Sequence, residues 1–278
     1  MMTKSKTYLA LLIAGLLIFG VTACSDDSDS SNDSDSGVEQ DATDAPDGEG
    51  TGELDPLPES WSFESEYSLR FTKFALDDTA PLHNLNTLLD KNIKNQDDKY
   101  PIVVLLNLRN IDEGAGSLDL RGGAGLKADL ECLPSLGDNC DYTWDPDDSG
   151  EYTIGSEFDG TTGEMKAGLA ALDFIVTFES GEDVLKSAIP ISDLTLTGAL
   201  RPTADESGVE IQNGVLVGYI TEEAAAVAEI QLSAGATPLL LSELLKSTPK
   251  TDDLDGDGTN DAWLLTGTFI AVEASIVE

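Results

Sequence analysis

The stretch Trp61-Ser-Phe-Glu-Ser-Glu-Tyr-Ser-Leu-Arg-Phe71 decides the fold class. Trp61, Phe63, Tyr67, Leu69 and Phe71 alternate with Ser62, Glu64, Glu66, Ser68 and Arg70. A period of two places the apolar set on one face and the polar set on the other, which predicts a half-buried strand. Working outward, "PIVVLLNLRNI" (residues 101–111) is apolar on both faces in its first half, as in a central strand. Further strand-like runs are "EYTIGSEF", "LDFIVTF", "DLTLTGAL", "VEIQNGVLVGYI" and "WLLTGTFIAVEASIV".

Helical signals are fewer. Leu82, Leu85, Leu89 and Ile93 recur at helical spacing after Asp78 or Thr79 as cap and Pro81 in the first turn. Thr221 precedes "EEAAAVAEI" as an N-cap, with acids in the first turn, where the helix dipole favours them. Thr237 and Pro238 open a third helix over "LLLSELLKS". Strands outnumber helices, so the expected fold is a β-rich α+β single domain. It is an antiparallel sheet or sandwich with about three short helices.

A pattern Leu-x-Gly-x-apolar recurs at Leu196–Leu200, Leu216–Ile220 and Leu265–Phe269. Glycine inside a strand marks a bend or a close approach. Neighbouring strands of this kind would form a groove, filled either by the protein's own side chains, such as those of helix 238–247, or by an apolar ligand.

The chain has 278 residues and a formal net charge of −38. Charge of this sign repels nucleic acid, so no DNA or RNA partner is expected. Between Cys24 and Ser60 there are 13 acidic side chains and no basic one. That Ser/Asp/Gly-rich stretch cannot bury enough apolar surface to offset chain entropy, and residues 24–60 are expected to be a disordered, acidic tether. Residues 61–278 are then the folded domain.

At the N-terminus a short cationic start, "MMTKSK", precedes "TYLALLIAGLLIFG", an apolar run too short for a stable membrane span but suited to a secretory signal. "VTAC" follows and resembles the lipobox of bacterial lipoproteins. The resemblance implies that residues 1–23 are a signal peptide, that the thiol of Cys24 is diacylglycerylated, and that the chain is then cut before Cys24 and the new amine acylated. Two or three acyl chains make membrane attachment stable. Ser25 stands where Asp marks inner-membrane retention in some bacteria, so the outer membrane is the expected location. The tether, the β-rich domain and an Asp-Gly loop together resemble acidic envelope lipoproteins, a compositional likeness that implies no specific activity. In such an oxidising envelope Cys132 and Cys140 are expected to form a disulfide, contributing roughly 2–3 kcal/mol.

The segment Asp253-x-Asp255-x-Asp257-Gly258-Thr259-x-Asp261 offers hard oxygen donors at alternate positions of one turn. It resembles the calcium loops of EF-hands, dockerins and thrombospondin type 3 repeats. That resemblance implies carboxylate ligands from Asp253, Asp255, Asp257 and Asp261 and a carbonyl ligand from Thr259. Leu264 stands at the twelfth position, where an EF-hand carries a bidentate Glu, and a strand rather than a helix follows. A calcium site with the affinity of extracellular modules is expected, acting as a clamp and not as a sensor.

No catalytic constellation is legible. His83 is the single histidine, which excludes a multi-histidine zinc site and gives little support to a Ser-His-Asp triad. "DLRGGAG" lacks the Lys and helix start of a phosphate cradle. "DYTWDPDDSGEY" mixes Tyr142, Trp144 and Tyr152 with Asp145, Asp147 and Asp148, a mix seen both in sugar sites and in surface loops. The expected function is that of a non-enzymatic, lipid-anchored binding or structural domain whose partner is a protein, a glycan or an apolar ligand. A carrier of lipid or another apolar ligand and a carbohydrate-active enzyme are the alternatives.

Overall fold

The computed structural model describes residues 56–58, 60–136, 139–147, 150–180, 183–204, 207–231 and 237–277. Cys24, the signal segment and most of the tether lie outside the described residues. The strands are β1 (Glu66–Leu76), β2 (Val103–Asp112), β3 (Ser117–Lys127), β4 (Asp141–Trp144), β5 (Thr153–Phe158) and β6 (Glu164–Ser180). They continue with β7 (Asp183–Pro202), β8 (Val209–Thr221), β9 (Glu229–Ile230), β10 (Leu239–Leu240), β11 (Ala262–Glu273) and β12 (Ser275–Ile276). Three short α-helices interrupt them: α1 (Asn86–Lys94), α2 (Glu222–Val227) and α3 (Leu241–Leu244).

The sheet is large, almost wholly antiparallel, and closed. Pairing runs in the order β3-β2-β1-β11-β8-β7-β6-β5, and β5 pairs back onto β3. Eight strands therefore form a ring instead of the two packed layers of a sandwich. Early and late parts of the domain meet where β1 pairs with β11, with Leu69 facing Glu273 and Leu76 facing Gly267. β4 pairs with the last residues of β3, Gly125 to Lys127, and β12 adds to β4 in parallel.

The filling of the barrel follows from the alternation seen in the sequence. Along β1 the residues Tyr67, Leu69, Phe71, Phe74 and Leu76 are buried, and so are Leu216 and Ile220 of β8 and Leu265 and Phe269 of β11. The interior is filled by these side chains: Phe71 stacks on Phe269 with centroids 4.4 Å apart, and Phe74 on Phe174 at 4.7 Å. An eight-stranded barrel is about wide enough for side chains to fill. Outward positions carry Lys166, Asp173, Thr197, Glu210 and Thr268. That is the reverse of a barrel whose outer surface meets hydrocarbon.

Because strands alternate in direction, the long connections β1–β2, β3–β5 and β8–β11 share one end of the barrel. That end is capped by Leu82, Leu89 and Ile93 around α1, and by Ala225, Leu241 and Leu245 of the α2–α3 segment. The opposite end carries short turns and is closed by Trp61 and Phe63, the latter edge-on to Phe158 at 5.0 Å.

Three expectations need correction. The helix expected after Asp78 or Thr79 begins later: His83–Leu85 is a 3-10 turn, Leu82 takes a left-handed conformation (φ 65°), and α1 starts at Asn86 without a side-chain cap. Asn86 instead bonds both the N–H and the carbonyl of Leu76 at the end of β1, which fixes where the helix starts. The helix expected from Thr237 and Pro238 is only Leu241–Leu244, because Leu239 and Leu240 pair with Ile230 and Glu229 as strand. It does not fill a glycine groove. A Cβ on Gly218 would meet Ile191 at 2.6 Å, and one on Gly267 would meet the carbonyl of Ala75 at 2.8 Å, so neighbouring strands already occupy that space. Thr221 does cap α2, accepting the N–H of Ala224 at 3.1 Å.

β2 is apolar on both faces for a local reason. Val104, Leu106 and Leu108 face the barrel interior, whereas Val103 and Leu105 face outward under Cys140 and Tyr142. The segment leading into β4 thus lies over the outer wall.

Candidate functional site

The acidic loop sits between α3 and β11 at the helix-bearing end. An isolated bridge between Asp252 and Ala262 closes its base, and the indole N–H of Trp263 donates to the carbonyl of Thr248 at 2.9 Å. Gly256 (φ 76°) and Gly258 (φ 90°) take left-handed conformations that reverse the chain twice within the loop. Asp253 accepts the N–H groups of Gly256 at 2.8 Å and Gly258 at 2.7 Å, so both of its oxygens are oriented. Asp255 accepts from Asp257 N–H, and Asp257 from Thr259 N–H.

The result is convergence of three carboxylates. Oxygens of Asp253, Asp255 and Asp257 lie within 4.8 Å of one another. Asp261 stands apart from this group and accepts the N–H of Leu254 at 2.9 Å, bracing the loop from its far side. Thr259 enters through its N–H, as described, and Leu264 is part of β11 opposite Tyr219. Of the four expected carboxylates, Asp253, Asp255 and Asp257 are the ones gathered. Hard oxygen donors at this density suit a divalent cation of the calcium class.

A second cluster holds the β3–β5 connection against the barrel wall. Cys132 and Cys140 are bridged, the pair expected from the sequence, with Cα atoms 5.8 Å apart. Buried Lys127 donates to the carbonyls of Gln96 at 3.1 Å, Asp98 at 3.4 Å and Cys132. Asp97 accepts the N–H of Ser135 at 3.0 Å, and hydrogen bonds from Ser135 hold its carboxyl below the usual carboxylate range. Burial pushes the Tyr142 phenol up, partly offset by the Arg70 guanidinium.

The aromatic and acidic segment 141–152 is largely committed to the fold. Arg70 lies 5.4 Å from the Tyr142 ring centroid, Arg121 lies 3.8 Å from Trp144, and Arg109 lies 3.4 Å from Tyr152. Each arginine points outward from β1, β3 or β2, so the three pairs staple the connection across adjacent strands. Asp145, fully buried, and Asp147 both bind Lys186 of β7, at 2.9 and 3.1 Å. Bonds to these two carboxylates outweigh the effect of burial and raise the Lys186 ammonium above its ordinary value. The glycines of "DLRGGAG" belong to β3: a Cβ on Gly125 would strike Leu105 at 2.5 Å. His83 is exposed, with Nδ1 at 3.2 Å from the carbonyl of Ala80.

Comparison with protein-family models, curated proteins and solved structures finds no match to the chain.

Proposed function

We propose that the chain is a lipid-anchored envelope protein, held at the outer membrane through acylated Cys24, whose barrel is a non-catalytic binding or structural domain steadied by calcium. The observation that carries the calcium part is the convergence of Asp253, Asp255 and Asp257 immediately ahead of β11. β11 joins β1 to β8, so a cation fixing the loop would fix the strand on which closure of the ring depends. The interior supports a binding or structural role over carriage of an apolar ligand, since Leu69, Phe71, Leu106, Leu108 and Phe269 are all at most 2 % exposed.

Calcium at a hundredfold excess over its Kd is expected to raise the unfolding midpoint by about 5–10 °C relative to chelator. Asp255→Ala combined with Asp257→Ala should remove the rise while leaving the chelator midpoint within a few degrees. Equal midpoints with calcium and chelator in the wild-type chain would sink the site.

The anchor has its own measurement. Cys24→Ser is expected to move the protein from the detergent phase to the aqueous phase on phase partitioning and to abolish incorporation of labelled fatty acid. Retention of the label would show that the acyl group is elsewhere.

A further inference from the structure

A cleft of about 620 Å³ opens on the outer wall of the barrel, toward the end with the short turns. One side is formed by the β4–β12 edge and the disulfide loop, through Tyr142, Ser275 and Asn139. The β7–β8 turn forms the other, through Thr203 and Gly208. Arg70 and Val272, partners across β1 and β11, lie between them.

Two opposite charges line this cleft, and they do not pair with each other. Glu273 accepts the N–H of Val209 through Oε2 at 3.1 Å. Gly208 makes room for that bond, since a Cβ there would stand 2.8 Å from the same oxygen. Oε1 of Glu273 has no partner among the described residues. Arg70 donates one long bond, 3.5 Å, to the carbonyl of Phe71. Its guanidinium lies 5.4 Å from the Tyr142 centroid, whereas Arg109 and Arg121 close to 3.4 and 3.8 Å on their rings. Arg109 also meets Asp119 at 3.8 Å, but no carboxylate among the described residues pairs with Arg70. Acidic side chains outnumber Lys and Arg 53 to 15. A half-buried guanidinium left without a carboxylate is therefore kept from them by the fold, with most of its donors free for a ligand.

We infer that the cleft binds a small zwitterion, an α-amino acid or a short peptide, with its carboxylate on Arg70 and its ammonium on Glu273. A guanidinium fork takes a carboxylate through two parallel hydrogen bonds, and an ammonium donates to a carboxylate oxygen. One ligand thus completes both charges, and Val272 and Ala274 give its side chain an apolar surface. A net charge of −38 repels a simple anion, and a simple cation leaves Arg70 unmatched. A zwitterion carries no net charge and escapes both objections. The cleft has the volume of small-molecule sites, roughly 300–1,000 Å³. The inference rests on the reading of the barrel as a binding domain, and on neither the calcium loop nor the anchor.

The test uses the full chain in detergent, titrated by calorimetry with each standard amino acid and with di- and trialanine. At least one of these probes should bind saturably, and the order among them separates a free amino acid from a peptide as the source. For the best binder, N-acetylation removes the ammonium and C-terminal amidation removes the carboxylate. Each change should weaken binding about tenfold or more. Arg70→Gln should weaken the parent probe about tenfold without weakening its amide further. Glu273→Gln should do the same for the parent and its N-acetyl form. Both variants should melt within a few degrees of the wild-type chain. No binding by any probe, or equal binding of the parent and both capped forms, would overturn the inference. The capped probes are read on the wild-type chain, so they decide it even where a variant folds poorly. Each probe should be recovered uncleaved, and a cleaved peptide would instead contradict the non-catalytic reading of the barrel. Calcium-dependent melting and labelling of Cys24 do not depend on this titration, so its failure leaves them standing.

Discussion

Phe269→Ala is expected to destabilise the barrel by about 3–5 kcal/mol. Phe269 is 2 % exposed and lies face to face with Phe71, the planes only 5° apart. It belongs to the strand between β1 and β8, so the cavity left by truncation opens at the join between the first and last strands of the ring. A core site so closely packed has little freedom to collapse, which places the loss high in the range for large-to-small changes. Against a typical total stability of about 5–15 kcal/mol the variant would be close to unfolding at ordinary temperature. Urea denaturation should show a lower midpoint with an unchanged slope. Thr268→Ala, one position away and exposed on the outside, should change stability by no more than about 0.5 kcal/mol. Equal effects at the two positions would contradict the assignment of inward and outward faces.

Lys127→Met is expected to cost about 3 kcal/mol while leaving the barrel closed. The substitution keeps an apolar stem of similar length and removes the ammonium that binds the carbonyls of Gln96, Asp98 and Cys132. A buried acceptor stripped of its donor costs about 1–3 kcal/mol, and water can reach the more exposed of the three. The same carbonyls belong to the α1–β2 connection and to the disulfide loop, so Lys127 ties together two segments that no ladder joins. Cys132→Ser with Cys140→Ser should cost about 2–3 kcal/mol alone. Combined with Lys127→Met the total should fall short of the sum by at least about 0.5 kcal/mol, because both changes release the same loop. Hydrogen exchange should quicken over residues 128–136 and not in β8 or β11. Strict additivity would show that the loop is held by something else.

These two sites differ in how visible they are from sequence. The faces of β1, β8 and β11 can be read directly, since each buries one side and leaves the other polar. β3 cannot. Its Arg-Gly-Gly-Ala-Gly run erases alternation, because Gly122 and Gly125 are there to admit Leu169 and Leu105, contacts that local sequence does not announce. Ring closure is equally hidden, since it depends on β5, six residues long, pairing with β3 across the whole β4 excursion. Thr221 is legible as a cap because capping is local. Thr237 and Pro238 mislead because pairing between β9 and β10 overrides helix propensity at Leu239 and Leu240. In the acidic loop the alternate spacing identifies Asp253, Asp255 and Asp257, and the bond from Leu254 N–H to Asp261 is beyond its reach. Nothing in the sequence links Arg70, Arg109 and Arg121 to Tyr142, Tyr152 and Trp144, since those partners meet only after the connection folds back.

The pairing of β1 with β11 has a consequence for how the molecule comes into being. Leu69 finds Glu273 across almost the whole domain, so β1 lacks one neighbour until β11 has left the ribosome. Contacts of such long range make folding slow, on the order of milliseconds to seconds, compared with microseconds for local helical folds. A nascent chain of this topology cannot close early, however favourable its other hairpins. It stays threadable through its own synthesis, which suits the proposed export of the chain, unfolded, through a membrane before it acquires its shape.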